Sequence, residues 1–417
     1  MGKSRQSEHK QFLDWLVNQA IEQSVDVILV AGDIFDTGSP PSYARELYNY
    51  FFVALRERDT YQSVHVIVLA GNHDSVATLS EAKDLLLHFN VNVIAGLSNN
   101  LEEHVIQVKS KSGQLKGLVC AIPYLRPRDL VESNAGQTGR QKQQDLQEAI
   151  FQFKEAVYQK AAAIRKKVAL DIPIISSGHL MVAGGSCSDS VRDIYVGTLD
   201  AFPALLLPPA DYTALGHIHM TQQIKAPLPV HYCGSPIALS FDELKHQKHA
   251  LLVMFEGHEL SAVTRLQIPR FQQMRQIKGN IETVESEIEL LIQVNEEENP
   301  EVIWLDVEVD TQDYLSDLQQ RIEGMLKGST LEVLMLRRAK KRRLQSIDYT
   351  EKLALSELSP KDVFEQRLAL ENWDGEQKQQ KARLLSTFDT LLSTLESSDD
   401  IGAGAIGLNV SHDEVPK

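Results

Sequence analysis

Apolar residues recur along this chain in two rhythms. Within residues 8–23, Phe12, Leu13, Leu16, Val17, Ala20 and Ile21 fall at steps of three and four, which predicts an amphipathic helix. Residues 26–31 form instead a short apolar run that stops at Gly32, as a buried parallel strand does. Pro40 and Pro41 open a second helix to about Leu55, and residues 64–70 repeat the buried run, ending at Gly71. This strand–helix–strand alternation, with polar motifs just after the strand ends, predicts a layered α/β fold. Such sheets place their ligands at the carboxyl ends of strands.

The same reading places further strands at 91–95, 104–108, 117–121, 172–177, 211–215, 229–233 and 249–255, and a long helix over 141–166. A first domain, 1–268, ends there. Residues 269–350 read as a smaller α/β unit. It has a helical stripe (Ile281, Val284, Ile288, Leu291), strands at 303–309 and 331–336, a helix at 313–326, and an acidic linker at 295–301. Ser359-Pro360 starts a helix with the hydroxyl as cap and proline at the first helical position. Beyond Gly375, Leu384, Leu385, Phe388, Leu391, Leu392 and Leu395 form a second stripe. With so few other core residues, this C-terminal helical pair, 351–397, is expected to pack on a partner. The Ser-, Asp- and Gly-rich tail, 398–417, is expected to be disordered.

Composition narrows the function classes. The 417 residues suffice for a large core and more than one domain. With 43% hydrophobic and 24% charged residues, the chain is an ordinary globular one. No apolar run approaches a membrane span, and Met-Gly-Lys-Ser-Arg lacks a signal-peptide core, so a cytoplasmic location is expected. Cys120, Cys187 and Cys233 are scattered and odd in number, which reads as reduced thiols. A net charge of −15 argues against coating nucleic acid through the overall field, but screening over about 8 Å leaves room for a local basic track. The dense basic block, from Arg337 and Arg338 through Lys340, Lys341, Arg342 and Arg343, is equally compatible with phosphate and with water.

Four motifs stand at predicted strand exits. Asp33 follows Val-Ala-Gly, where its carboxylate would project from the sheet rim and can bridge two cations. Gly71-Asn72-His73-Asp74 follows the next strand: the Asn72 amide is a neutral oxygen ligand, and the His73 imidazole can reach a phosphate, with Asp74 able to hold its ring. His179 follows a third exit, and His217 and His219 stand two apart after a fourth, where an extended segment would turn both rings one way. A lone histidine on such a strand is more often a core or surface residue; three at Gly-His exits shift the odds. The donor set of carboxylate, amide and imidazole without thiolate suits Mn²⁺, Fe²⁺ or Zn²⁺. Two such ions, roughly 3.5–4 Å apart, clamp the attacking and leaving oxygens of a phosphoryl transfer.

The motif order Gly-Asp, Gly-Asn-His-Asp, Gly-His, Gly-His-x-His resembles the calcineurin-like metallophosphoesterases. Longer stretches resemble the bacterial SbcD family of nuclease subunits. These are 30–45 (beginning Val-Ala-Gly-Asp-Ile-Phe-Asp), 69–78 (Leu-Ala-Gly-Asn-His-Asp-Ser-Val-Ala-Thr), 191–203, 233–243 (Cys-Gly-Ser-Pro-Ile-Ala-Leu-Ser-Phe-Asp-Glu) and 355–360. The resemblance implies a Mn²⁺-dependent DNA nuclease, acting at hairpins and, 3′ to 5′, at duplex ends, in replication, recombination and repair. Its partner would be an SbcC-type, SMC-like ATPase, with a dimer of the nuclease subunit in a heterotetramer or larger complex. By the same resemblance Asp33 bridges both metals, Asn72, His179 and His217 complete one site, and His219 serves the other. His73 then acts on the transition state or the leaving oxygen, 269–350 caps the DNA, and 351–397 grips the partner.

The family opens with a strand ending in Asp-x-His, both ligands, followed by a loop leading to Ser-Arg. Ser4-Arg5 matches the end of that loop, so about 15 residues, a strand and a loop, are expected to be missing ahead of Met1, most simply through a misplaced start codon. One metal site then keeps all its implied ligands and the other keeps Asp33 and His219. The rival expectation is a truncated, catalytically impaired architectural subunit that binds DNA and the ATPase. A small-molecule phosphodiesterase is disfavoured by the capping-like and partner-like segments.

Overall fold

The computed structural model describes residues 2–59, 64–110, 112–131, 137–186, 201–298, 301–310, 315–339, 383–384 and 387–388. The chain divides into two compact units, Met1–Lys340 and Lys341–Lys417. In the second, residues 383–384 and 387–388 are helical; the rest of the expected helical pair, the tail, and the basic residues Lys340 to Arg343 lie outside the described residues.

The first unit begins α1 (Gln6–Glu22), β1 (Val27–Ala31), α2 (Ser42–Arg58), β2 (His65–Leu69), α3 (Val76–Ser80), α4 (Lys83–Leu87) and β3 (Val91–Ile94). It continues with β4 (Val105–Lys109), β5 (Leu115–Cys120), α5 (Pro127–Leu130), α6 (Gly139–Val168), β6 (Ile174–His179), β7 (Tyr212–Gly216), β8 (Gln222–Ile224) and β9 (Val230–Tyr232). A ribbon follows, β10 (His249–Glu256) and β11 (Glu259–Gln267), then β12 (Gln273–Gly279), α7 (Ile281–Glu298), β13 (Ile303–Val309), α8 (Leu315–Leu326) and β14 (Leu331–Arg338).

The fold is the layered α/β arrangement expected, but the strands divide between two facing sheets. One is parallel, in the order β1-β2-β3; the other is mixed, in the order β4-β5-β6-β7-β9-β8. Side-chain alternation explains the layering, because successive residues of a strand face opposite sides. In β2, Val66 and Val68 pack with Val17 of α1 and Phe51, Phe52 and Leu55 of α2. Ile67 and Leu69 turn the other way and meet Ile106, Val108 and Val119 of the second sheet. In β5, Leu118 and Cys120 face Leu146, Ile150, Val157 and Ala161 of α6, while Val119 faces the first sheet. Residues 66–69 of β2 and 118–120 of β5 are thus buried on two sides, which is why those stretches read as unbroken apolar runs. Each such side chain contributes about 1.5–3 kcal/mol of burial.

Helix α6 begins at a capping box, with Thr138 Oγ1 accepting from Gln141 N and the Gln141 side chain accepting from Thr138 N. It ends with Arg165, Lys166 and Lys167 in its last turn, where cations complement the helix dipole.

Residues 273–338 form a parallel three-stranded sheet, β12-β13-β14, whose core joins Ile277, Leu305, Val307 and Leu331 to Val284 and Ile288 of α7 and Leu318 and Ile322 of α8. Met274 and Trp304 of this sheet pack on Phe241, and the Arg5 guanidinium lies over the Trp304 ring at 5.4 Å. Strands β8, β11 and β12 have no counterpart in the apolar pattern. In β11 Leu260, Ala262, Val263 and Leu266 are half-buried and the other five residues exposed, and in β12 only Met274 and Ile277 are buried. Among the described residues no helix is long and apolar enough to cross a membrane, and Cys120 and Cys233 are free thiols.

Candidate metal centre

Four strand exits from the two sheets converge on one point. Asp33 follows β1 through Gly32, Asn72 follows β2 through Gly71, His179 ends β6, and His217 follows Gly216 of β7. Two glycines make the approach possible. A Cβ on Gly71 would lie 2.1 Å from Asp33 Oδ1, and one on Gly216 would lie 1.8 Å from Ala31 O. A side chain at Gly71 would push apart the neighbouring exits of β1 and β2, and one at Gly216 would push the two sheets' ends apart, which is the physical content of the glycine before each polar residue.

The backbone is held in uncommon regions at the site. Asp33 has φ 52° and His217 φ 100°, values that cost L-residues conformational energy and persist only where surrounding contacts impose them. For Asp33 those contacts come from Asp74. Its buried carboxylate accepts from the backbone N–H groups of Gly71 (2.8 Å), Ile34 (3.0 Å) and Phe35 (2.9 Å), tying the 33–35 turn to the 71–74 turn. The expectation that Asp74 would hold the His73 ring is therefore replaced. The His73 Nδ1–H donates to the Asp36 carbonyl at 3.0 Å, and the His73 backbone N–H donates to Asp33 Oδ1 at 3.0 Å.

The polar atoms that meet are oxygens and ring nitrogens of the kind that ligate metals. His179 Nδ1 lies 2.8 Å from the Ala31 carbonyl, which can only accept, so Nδ1 carries the proton and Nε2 is presented to the cluster. Nε2 is 2.9 Å from Asn72 Oδ1 and 3.1 Å from Asp33 Oδ2, and His217 Nδ1 is 3.1 Å from the same Asn72 oxygen. Asn72 Nδ2 is buried without a hydrogen-bond partner, so the amide keeps its oxygen in the cluster at the expense of its own donors. Burial pushes His217 down to about 4, helped by the neighbouring His179, so the ring is a neutral imidazole at ordinary pH, the form that ligates. Ligand atoms of Asp33, His179 and His217 all lie within 4.8 Å of one another. Carboxylate, amide oxygen and two imidazoles fit a hard-to-borderline divalent cation, whose charge would satisfy the converging lone pairs.

His219 does not join that group. Strand pairing ends at Gly216, the backbone turns at His217, and Ile218 between them in sequence is buried. The two histidines therefore do not share the common direction an extended segment would give. His219 Nδ1 bonds instead to Glu243 Oε1 at 2.9 Å. In the sequence Glu243 is only the last residue of the 233–243 stretch, with no chemistry to mark it. Lys154 of α6, fully buried behind β6 with Nζ 3.0 Å from Ser177 O, is likewise hidden within a helical pattern.

The basic block resolves in part. Arg337 bonds to the buried Asp306 through Nε at 3.0 Å and through Nη2, so it is engaged within the small sheet.

Residues 6–220 match the calcineurin-like phosphoesterase family, and residues 270–372 match the type 5 capsule protein repressor C-terminal domain. The fold and the site thus define a calcineurin-like phosphoesterase, a class whose members are metal-dependent. The chain is 46% identical over 394 residues to the SbcD polypeptide of the nuclease SbcCD from Escherichia coli (strain K12), covering 94% of each chain. It is 30% identical over 317 residues to the corresponding SbcCD polypeptide of Bacillus subtilis (strain 168), covering 76% of each. The chain belongs to the SbcD family of nuclease subunits.

Proposed function

We propose that this chain is a Mn²⁺-dependent DNA nuclease subunit, cutting phosphodiesters at hairpins and, 3′ to 5′, at duplex ends, together with an SbcC-type, SMC-like ATPase. The observation that carries the reading is the convergence of Asp33 Oδ2, Asn72 Oδ1, His179 Nε2 and His217 Nδ1, one potential ligand atom from each of four strand exits. Asp33, Asn72, His179 and His217 would hold one ion, and Asp33 and His219 would contribute to a second. When bound, the ions supply positive charge to the attacking and leaving oxygens of the phosphoryl group.

The protein's own groups do the rest. Asp74 fixes the two turns, so Asp33 and Asn72 keep their spacing as substrate enters. With its Nδ1–H bound to Asp36 O, the His73 ring is oriented so that its imidazolium form would present Nε2–H to a phosphoryl oxygen and give that proton to the leaving oxygen, becoming neutral as it does so. The small sheet of residues 273–338 would cap the DNA, and residues 351–397 would grip the ATPase.

Cleavage of hairpin and blunt duplex substrates by the chain with its ATPase partner, ATP and Mn²⁺ tests the reading, with Mn²⁺ calorimetry alongside. Cutting that persists in chelator, or absence of Mn²⁺ binding to the folded chain, would overturn it.

A further inference from the structure

Beyond the cluster itself, the 233–248 segment carries an arrangement of charges that the proposed function does not use. Glu243 is 1% exposed, and its two oxygens have different tasks. Oε2 lies 2.5 Å from Lys248 Nζ, 3.2 Å from Ser235 Oγ and 3.3 Å from Leu239 N, while Oε1 accepts from the His219 ring at 2.9 Å. Lys248, itself 8% exposed, also donates to Ser235 Oγ at 2.7 Å and to the His219 carbonyl at 3.1 Å. The ring and the main chain of His219 are therefore gripped by the two members of one buried ion pair.

Stability alone does not account for this. Removing a carboxylate and an ammonium from water costs enough that well-packed apolar residues of similar volume commonly serve a fold as well or better. What apolar residues cannot do is select a ring tautomer. A carboxylate accepts only, so His219 carries its proton on Nδ1 and has its lone pair on Nε2. Carboxylate partners of this kind fix the orientation of metal-ligating imidazoles and raise their basicity.

We infer that Glu243, held in place by Lys248 and Ser235, is a positioning residue that locks His219 in the Nδ1–H tautomer and so presents Nε2 to a divalent cation. This deepens the metal role proposed for His219 and rests on it. Chain topology supplies the reason for a dedicated clamp. His219 lies past the end of β7, after the turn at His217, where no sheet hydrogen bond sets its ring.

The test uses the full chain with ¹⁵N-labelled histidine, first without metal. Ring nitrogen shifts and two-bond couplings separate the two tautomers, and His219→Gln assigns the signal. Unaltered protein is expected to show His219 as Nδ1–H. Glu243→Leu is expected to lose that signature and to weaken Mn²⁺ binding in calorimetry by about 10–100-fold. In the double variant Glu243→Gln, Lys248→Met, the amide oxygen has no ammonium to serve and can accept from the ring, so the Nδ1–H form should return. A Glu243→Leu protein that keeps both the signature and wild-type Mn²⁺ affinity overturns the inference. If that variant does not fold, a double variant without the Nδ1–H form does so. Failure of the unaltered chain to bind Mn²⁺ would instead overturn the metal reading, which the metal-free ring signature distinguishes from loss of the Glu243 bond.

Discussion

Two regions of the molecule set an aspartate among parallel strands, one fully buried and one half-buried, and treat it in opposite ways. Asp306, in the middle of β13, is fully buried and surrounded by donors: Gln276 Nε2 from β12 at 2.6 Å, and Arg337 of β14 through Nε and Nη2. Asp33, at the exit of β1, has Oδ2 beside His179 Nε2, which also faces the Asn72 oxygen. The first arrangement is complete as polypeptide; the second, in the function proposed, would reach electrostatic balance with a cation. A buried polar group satisfied by the chain holds the fold, whereas one whose second oxygen faces other potential ligand atoms is held by the fold for something else.

That contrast can be broken by substitution. Asp33→Ala should reduce Mn²⁺ affinity by about 10³-fold or more, since several kcal/mol of charge stabilisation pass through this carboxylate. The unfolding midpoint of metal-free protein should stay the same or rise. Calorimetry and thermal unfolding on one preparation check both, and a large loss of stability would place Asp33 with Asp306. His73→Ala should cut the cleavage rate by about 10²–10⁴-fold while leaving Mn²⁺ affinity unchanged, separating the residue that meets substrate from those that meet metal.

Arg337→Met should do the reverse of Asp33→Ala. It leaves the Asp306 carboxylate buried with one donor side chain, which costs about 3–5 kcal/mol in denaturant unfolding and does not alter Mn²⁺ binding. A nuclease defect in a folded Arg337→Met protein would return this residue to the DNA-contacting role that its sequence context left open.

The smallest effect concerns Lys154, the buried ammonium behind the strand that carries His179. Burial pulls its pKa from 10.5 to about 8. Below about pH 8 both folded and unfolded chains hold the proton; between there and 10.5 the unfolded chain holds more. Stability should therefore rise with pH across that window, by a few kcal/mol at most, and Lys154→Met should flatten the rise. Urea unfolding at about pH 7.5, 9 and 10.5 reads it.

Much of this was legible in sequence because buried parallel strands and amphipathic helices have distinct periods. Residues 26–31, 64–70 and 141–166 closely match β1, β2 with its flanking residues, and α6. The two-sheet division was not legible, because a strand buried on both faces reads the same whichever sheet it joins. Strands β11 and β12 escaped because too few of their side chains are buried to impose a period. At the site, the strand-exit glycines marked Asp33, Asn72, His179 and His217, but the partners of His73 and His219 did not follow from neighbours in the chain. Asp74 stands beside His73 in sequence and yet clamps two turns; Glu243, 24 positions from His219, is the group that holds a ring.

By itself, the sequence determined the layered α/β class and which side chains stand at strand exits, since both follow from local periodicity and the glycine each exit requires. Only the tertiary structure decided which of those side chains share one cluster. His217 and Asn72 are 145 positions apart, and their 3.1 Å contact depends on two sheets packing face to face with their carboxyl ends aligned. Tertiary structure also separated His219 from His217, two residues away, because one backbone angle outside the extended region overrides the alternation of a strand. Hydrogen-bond partners are set by where elements come to rest, and no local pattern records that.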